Sequence, residues 1–132
     1  MRTRFASIAA ICLALALGAP GSALARGGDN RDVRVSGTCG RGAASKLRLR
    51  AKDGALRVEF EVDSHRAGER WRIVLVHERR VAWRGQARTR RGNGSFRIRR
   101  SLPDFGGADQ VTARASGPRG NTCEATALLA GS

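Results

Sequence analysis

His65 and His77 are the only two histidines in the 132-residue chain, and each lies beside groups that catalysis uses: Ser64-His65-Arg66 and His77-Glu78. A small hydrolase would pair one of them, as base, with a hydroxyl nucleophile and a third group that orients the base. The chain offers no Gly-x-Ser-x-Gly elbow, no His-Glu-x-x-His and no phosphate-cradling glycine loop. Both histidines therefore read as ordinary turn or surface residues, and no residue is assigned a catalytic role. Glu59 and Glu61 have basic neighbours, while Asp104 and Asp109 read as residues that bond backbone groups within their own corner, as Asp does in Asx turns. Asn93-Gly94-Ser95 matches a glycosylation acceptor, yet a turn wants Asn and Gly for backbone reasons. The cysteines, with no Cys-x-x-Cys spacing and only two His, make no four-ligand zinc site. No metal and no cofactor is expected.

The compartment follows from the first 25 residues. Arg2 and Arg4 precede an apolar run from Phe5 to Leu17, which Gly18, Pro20 and Gly21 break ahead of Ala23-Leu24-Ala25. A charged start, a short apolar stretch and a small-residue site read as a secretory signal cleaved after Ala25. A retained span would need about 20 apolar residues. Cys12 leaves with the signal, so Cys39 and Cys123 remain, and in an oxidising compartment that even pair reads as one disulfide. Residues 26–32 are polar and Gly-rich and read as a flexible arm.

The arm leads into a domain over 33–130 whose apolar residues alternate. Val33 and Val35, Leu47 and Leu49, Leu56 to Val62, Trp71 to Leu75, Val81 and Trp83, Phe96 and Ile98, Val111 to Ala115, and Cys123 to Leu129 all follow a period of two. That is the pattern of half-buried strands, and seven to eight short ones separated by Gly, Pro, Asn and Asp indicate an all-β sandwich. Val74 and Val76 share a parity with Arg72, so their strand is either central and covered or shows a small apolar patch. One hairpin can be paired residue by residue, because Asp53-Gly54 is a type I′ turn signal. Counting outward sets Leu49 opposite Val58, Arg48 opposite Glu59 and Lys46 opposite Glu61. The two opposite-charge pairs are worth about 0.2–1 kcal/mol each. Arg50 opposite Arg57 is left without a partner.

The pieces Ser36-Gly37-Thr38-Cys39, Leu56 to Asp63, Gly68-Glu69-Arg70-Trp71, Gly94-Ser95-Phe96, Gly107-Ala108-Asp109 and Gly120-Asn121-Thr122-Cys123 resemble a group of small, uncharacterised exported actinobacterial proteins. The resemblance covers roughly Val33 to Leu129. It implies an immunoglobulin-like antiparallel sandwich closed by a disulfide between its first and last strands, and it carries over no catalytic residue. The antibody pattern itself is absent, since no Tyr lies two residues before Cys123.

Charge is the strongest functional signal. Nine arginines, Arg79, Arg80, Arg84, Arg88, Arg90, Arg91, Arg97, Arg99 and Arg100, lie in one window that contains no acid, in a chain of net charge +14. The window reads as a basic hairpin with Arg88, Arg90 and Arg91 at its tip. With Phe96 and Ile98 inward, Arg97 and Arg99 face solvent. Planar guanidinium groups suit phosphate or carboxylate. Arg outnumbers Lys 23 to 2, which codon usage in a GC-rich genome also produces, and high charge alone aids solubility. Aromatics among the arginines are limited to Trp83 and Phe96, both read as core, so no specific nucleic-acid recognition is expected. The sequence is therefore read as a secreted, monomeric, non-enzymatic binding domain. It would contact anionic envelope polymers or lipid headgroups outside the cell or at its envelope. The rivals are a small secreted hydrolase using His65 or His77 and a purely structural envelope protein. Intact-mass analysis of exported protein should find a chain starting at or near Arg26; an uncleaved chain would overturn the compartment.

Overall fold

Every strand expected from the alternation is present, and the first is split in two. The computed structural model describes residues 31–131; the expected signal over 1–25 and the first part of the expected arm lie outside them. The strands are β1 Asp32–Ser36, β2 Thr38–Cys39, β3 Ala44–Lys52, β4 Ala55–Asp63, β5 Arg70–His77, β6 Arg80–Arg88, β7 Ser95–Pro103, β8 Asp109–Ser116 and β9 Thr122–Leu129. They form two antiparallel sheets, β1-β3-β4-β7 and β2-β9-β8-β5-β6. Arg31 and Asp32, read as part of the arm, belong to the smaller sheet: Asp32 opens β1, and the Arg31 carbonyl accepts a 2.9 Å bond from Ala51 N.

Gly37 is where the first strand changes sheets. A Cβ there would collide with Ser45 Oγ and lie 2.6 Å from the Glu124 carbonyl, so only glycine lets the chain pass so close between β3 and β9. Before it, β1 pairs with β3; after it, β2 pairs with β9 and sets Cys39 directly opposite Cys123. These two cysteines are joined by a disulfide. The bridge ties the first strand to the last within the larger sheet.

The core lies between the sheets. Leu47, Leu49, Leu56, Val58 and Phe60 from the smaller sheet meet Trp71, Ile73, Leu75 and Val111 from the larger, all essentially inaccessible to solvent. Trp71 and Phe96 pack across the layers in a tilted arrangement with ring centroids 6.0 Å apart, a favourable geometry for two aromatic quadrupoles. The β3–β4 hairpin has the expected register at every position from Lys46↔Glu61 to Lys52↔Ala55. Its turn residues Asp53 and Gly54 have φ of 54° and 73°, as a type I′ turn requires.

The expected basic hairpin does not form. β6 is an edge of the larger sheet and β7 an edge of the smaller, so the window from Arg79 to Arg100 crosses from one layer to the other. Alternation could not reveal this, because a strand in either sheet points the same parity at the shared core. Thr89 marks the crossing. Its buried side chain turns toward the β4–β5 connection, where Oγ1 donates to the Arg66 carbonyl at 2.6 Å and accepts from Glu69 N at 2.8 Å. Glu69 is itself held by Ser64 Oγ at 2.6 Å and by Arg119. Burial pushes the Glu69 carboxyl up, but the Ser64 hydroxyl and the Arg119 guanidinium together keep it below the usual range.

The disulfide closes a span of 84 residues, for which the chain-entropy argument gives about 4–5 kcal/mol. Cys39→Ser/Cys123→Ser protein, or reduced wild type, should unfold at markedly lower denaturant than the oxidised chain. Equal midpoints would show that the bridge is dispensable.

Candidate functional site

Antiparallel register turns the outward parity of the smaller sheet into rows of charge. Across β1, β3, β4 and β7 one row reads Ser36, Lys46, Glu61, Arg97; the next reads Arg34, Arg48, Glu59, Arg99; the third reads Asp32, Arg50, Arg57, Ser101. The expected pairs Arg48 to Glu59 and Lys46 to Glu61 have the right register and different partners. Arg48 donates from Nε to both Asp32 oxygens at 3.0 Å. Arg99 Nε donates to Glu59 and Arg97 Nε to Glu61, each at 2.9 Å. Arg97 and Arg99 bind the glutamates directly opposite them on β4, while Asp32, which lay in the supposed arm, captures Arg48 from the next row.

The three acids of these rows are fully engaged. The Arg48 hydrogen bond holds Asp32 below the usual carboxylate range against the effect of burial, with Arg34 and Arg50 adding to it. Burial pushes Glu59 up, but the Arg99 hydrogen bond and the charges of Arg97 and Arg48 bring it below its ordinary value. What remains is positive. Arg57 has no acidic partner among the described residues, and Arg50 reaches only the shared Asp32, at 3.9 Å. These two stand directly opposite each other, an arrangement that costs stability in an antiparallel pair. They line an open depression of about 540 Å³ together with Arg48, Glu59, Arg99, Arg100 and Ser101.

Arg100 has the inward parity of Phe96 and Ile98, yet its guanidinium lies over the Trp83 ring, 4.2 Å from the centroid. Trp83 is half-buried where the edges β6 and β7 face each other, and its indole lies where a Cβ on Gly85 would stand. The pair caps the open side of the sandwich with a cation–π contact. Trp83 is therefore a rim residue, whereas Phe96 is core as expected.

The remaining arginines of the window are dispersed. Arg84 and Arg88 sit on the outer face of the larger sheet, where Arg88 pairs with Arg70, Arg84 with Val74, and Arg72 lies between them opposite Gln86. Arg70 and Arg72 were missed because they lie outside the charged window; only the β5–β6 pairing brings them in. Val74 lies between Arg84 and Arg114 in register, so long basic stems flank it. Arg79 and Arg80 mark one end of β6, and Arg90 and Arg91 lie beyond the other.

His65 is an exposed turn residue, with Nδ1 3.3 Å from Asp63 Oδ1. His77 is not: it is buried, and Nε2 contacts Asp109 Oδ1 at 2.8 Å. Asp104 does accept from its own corner, at Gly106 N, but Asp109 is buried against His77 instead. The signal was in the sequence, since His77 continues the inward series Trp71, Ile73, Leu75, and Asp109 precedes Val111, Ala113, Ala115. Ser64, the hydroxyl beside His65, gives its hydrogen bond to Glu69. Compared with family models, curated proteins and solved structures, the chain matches none.

Arg57→Glu should raise stability by about 0.2–1 kcal/mol, because it replaces a like-charge pair with an opposite one. Urea denaturation of the variant checks this, and a lower midpoint would show that Arg50 and Arg57 do not repel.

Proposed function

We propose that this chain is an exported, non-enzymatic binding domain that contacts anionic surfaces, envelope polymers or lipid headgroups, through arginines on its sheet faces. The observation that carries the reading is the Arg50–Arg57 opposition, set in a depression with Arg48, Arg99 and Arg100 whose acid, Glu59, is already held by Arg99. Packing like charges face to face lowers stability, and an anion with two acceptor oxygens relieves it by bidentate hydrogen bonds. A further like-charge pair, Arg70 opposite Arg88, adds a second basic area on the other sheet. Export is supported by the disulfide. No helix of the described residues is long and apolar enough to cross a membrane.

The sandwich is read as immunoglobulin-like. What supports this is the larger sheet, whose order β9-β8-β5 follows the G-F-C order of such domains, with β2 and β6 flanking it. The smaller sheet departs, since β3 and β4 form a hairpin in one layer where the immunoglobulin B and C strands lie in opposite layers.

The test is co-sedimentation with phosphatidylglycerol vesicles and titration with a linear polyphosphate, each across a salt series. Arg50→Ser/Arg57→Ser should weaken binding and reduce the salt slope by about 0.7 per phosphate contact removed. Arg88→Glu/Arg90→Glu/Arg91→Glu reports on the second area and should weaken binding less. Affinity and slope unchanged in both variants would mean that the arginines serve solubility alone.

A further inference from the structure

One corner of this basic molecule gathers acids. The inward parity of β5 and β8 brings His77, at the end of one strand, to Asp109, at the start of the other, with side chains 3% and 1% exposed. His77 Nε2 satisfies Asp109 Oδ1, but Oδ2 is buried and has no hydrogen-bond partner among the described residues. A buried carboxylate oxygen left bare is unfavourable unless a proton or a cation fills the gap. Glu78 follows His77 directly. The left-handed φ of Glu78 and Arg79, 50° and 65°, turns it back toward β8, where Oε1 accepts from Gln110 N at 2.6 Å. Donor atoms of His77, Glu78 and Asp109 all lie within 4.8 Å of one another.

The surroundings favour a positive occupant. Glu78, Asp104 and Asp109 form no ion pair with Lys or Arg among the described residues, although the chain carries a net charge of +14. Burial pushes the Asp109 carboxyl up; the His77 hydrogen bond opposes the rise and the neighbouring Asp104 adds to it. Phe105 stacks on the His77 ring at 5.1 Å and 20° while remaining 69% exposed, so it closes one face of the imidazole. Arg80 is the nearby opposing charge, in the wall of the adjoining hollow of about 580 Å³.

We propose that His77, Glu78 and Asp109 bind a divalent transition cation of the zinc class. One imidazole nitrogen with carboxylate oxygens is a donor set for zinc rather than for calcium or magnesium, which take oxygen throughout. Donors about 2.1 Å from a tetrahedral zinc ion stand about 3.4 Å apart, so the cluster must close by roughly an ångström or more, which the exposed Glu78 side chain supplies by swinging inward. The cation takes the place of the hydrogen bond between Nε2 and Oδ1, satisfies Oδ2, and ties the β5–β6 turn to the head of β8. Spacing rules for metal sites do not see it, because His77 and Asp109 lie 32 residues apart.

The experiment is a Zn²⁺ titration of the full, tag-free, disulfide-bonded chain against a chromophoric chelator, with imidazole proton signals followed by NMR. One equivalent of Zn²⁺ per chain should bind, and the His77 signals should move while those of His65 stay. Glu78→Gln, an exposed change, should weaken uptake by about tenfold or more, the scale of losing even an outer-shell partner. Asp109→Asn should remove stoichiometric uptake; if it does not fold, Glu78→Gln and the NMR readout decide. No stoichiometric uptake, a shift confined to His65, or unchanged affinity in Glu78→Gln overturns the site.

Discussion

A two-residue turn determines which side of the smaller sheet is charged. Asp53 and Gly54 both adopt left-handed φ, which matches the twist of the flanking strands and fixes the pairing of β3 with β4. A slip of one residue would set Leu47 and Leu49 on the same face as Arg57 and Glu59, so that one of the two strands turned its apolar residues outward and buried its charges. The same register propagates to β1 on one side and β7 on the other, so four strands present aligned rows. The Arg50–Arg57 opposition is the cost of that alignment. Moving it would misplace the whole core face.

The parts of the fold that were legible in the sequence are those set by local geometry. A period of two shows each strand and its inward residues, a type I′ signal shows one register, and two cysteines left after the expected signal point to the bridge. The remainder depends on which layer a strand joins. Phe96 and Ile98 point inward whether β7 pairs with β6 or lies across the core from it, so the crossing at Thr89 could not be distinguished from a hairpin. Ion partners were misread for a related reason: Arg97 and Arg99 come from a strand whose neighbour was unknown, and Asp32 from a segment taken as loose. His77 and Asp109 are a different case. Their inward parity was visible, and the residue types argued against burial until a partner was found.

The two edges β6 and β7 lie side by side in different layers, and both carry arginines. Charged edges discourage pairing with strands of other molecules, so arginines that belong to the proposed anion-binding faces also guard the open sides of the sandwich against strand addition. The polar network of Ser64, Glu69, Thr89 and Arg119 holds the end where the chain changes layer. Its hydrogen bonds satisfy groups that the crossing would otherwise bury unpaired.

The placement of the two tryptophans gives the molecule an optical gauge of its own. Trp71 is sealed in the core, while Trp83 lies half-buried at the rim beneath Arg100. Whatever draws the Arg100 guanidinium away from the indole alters the emission of Trp83 and leaves Trp71 as an internal reference. With no tyrosine in the chain, the ratio of the two bands follows the seam between the sheets without a label.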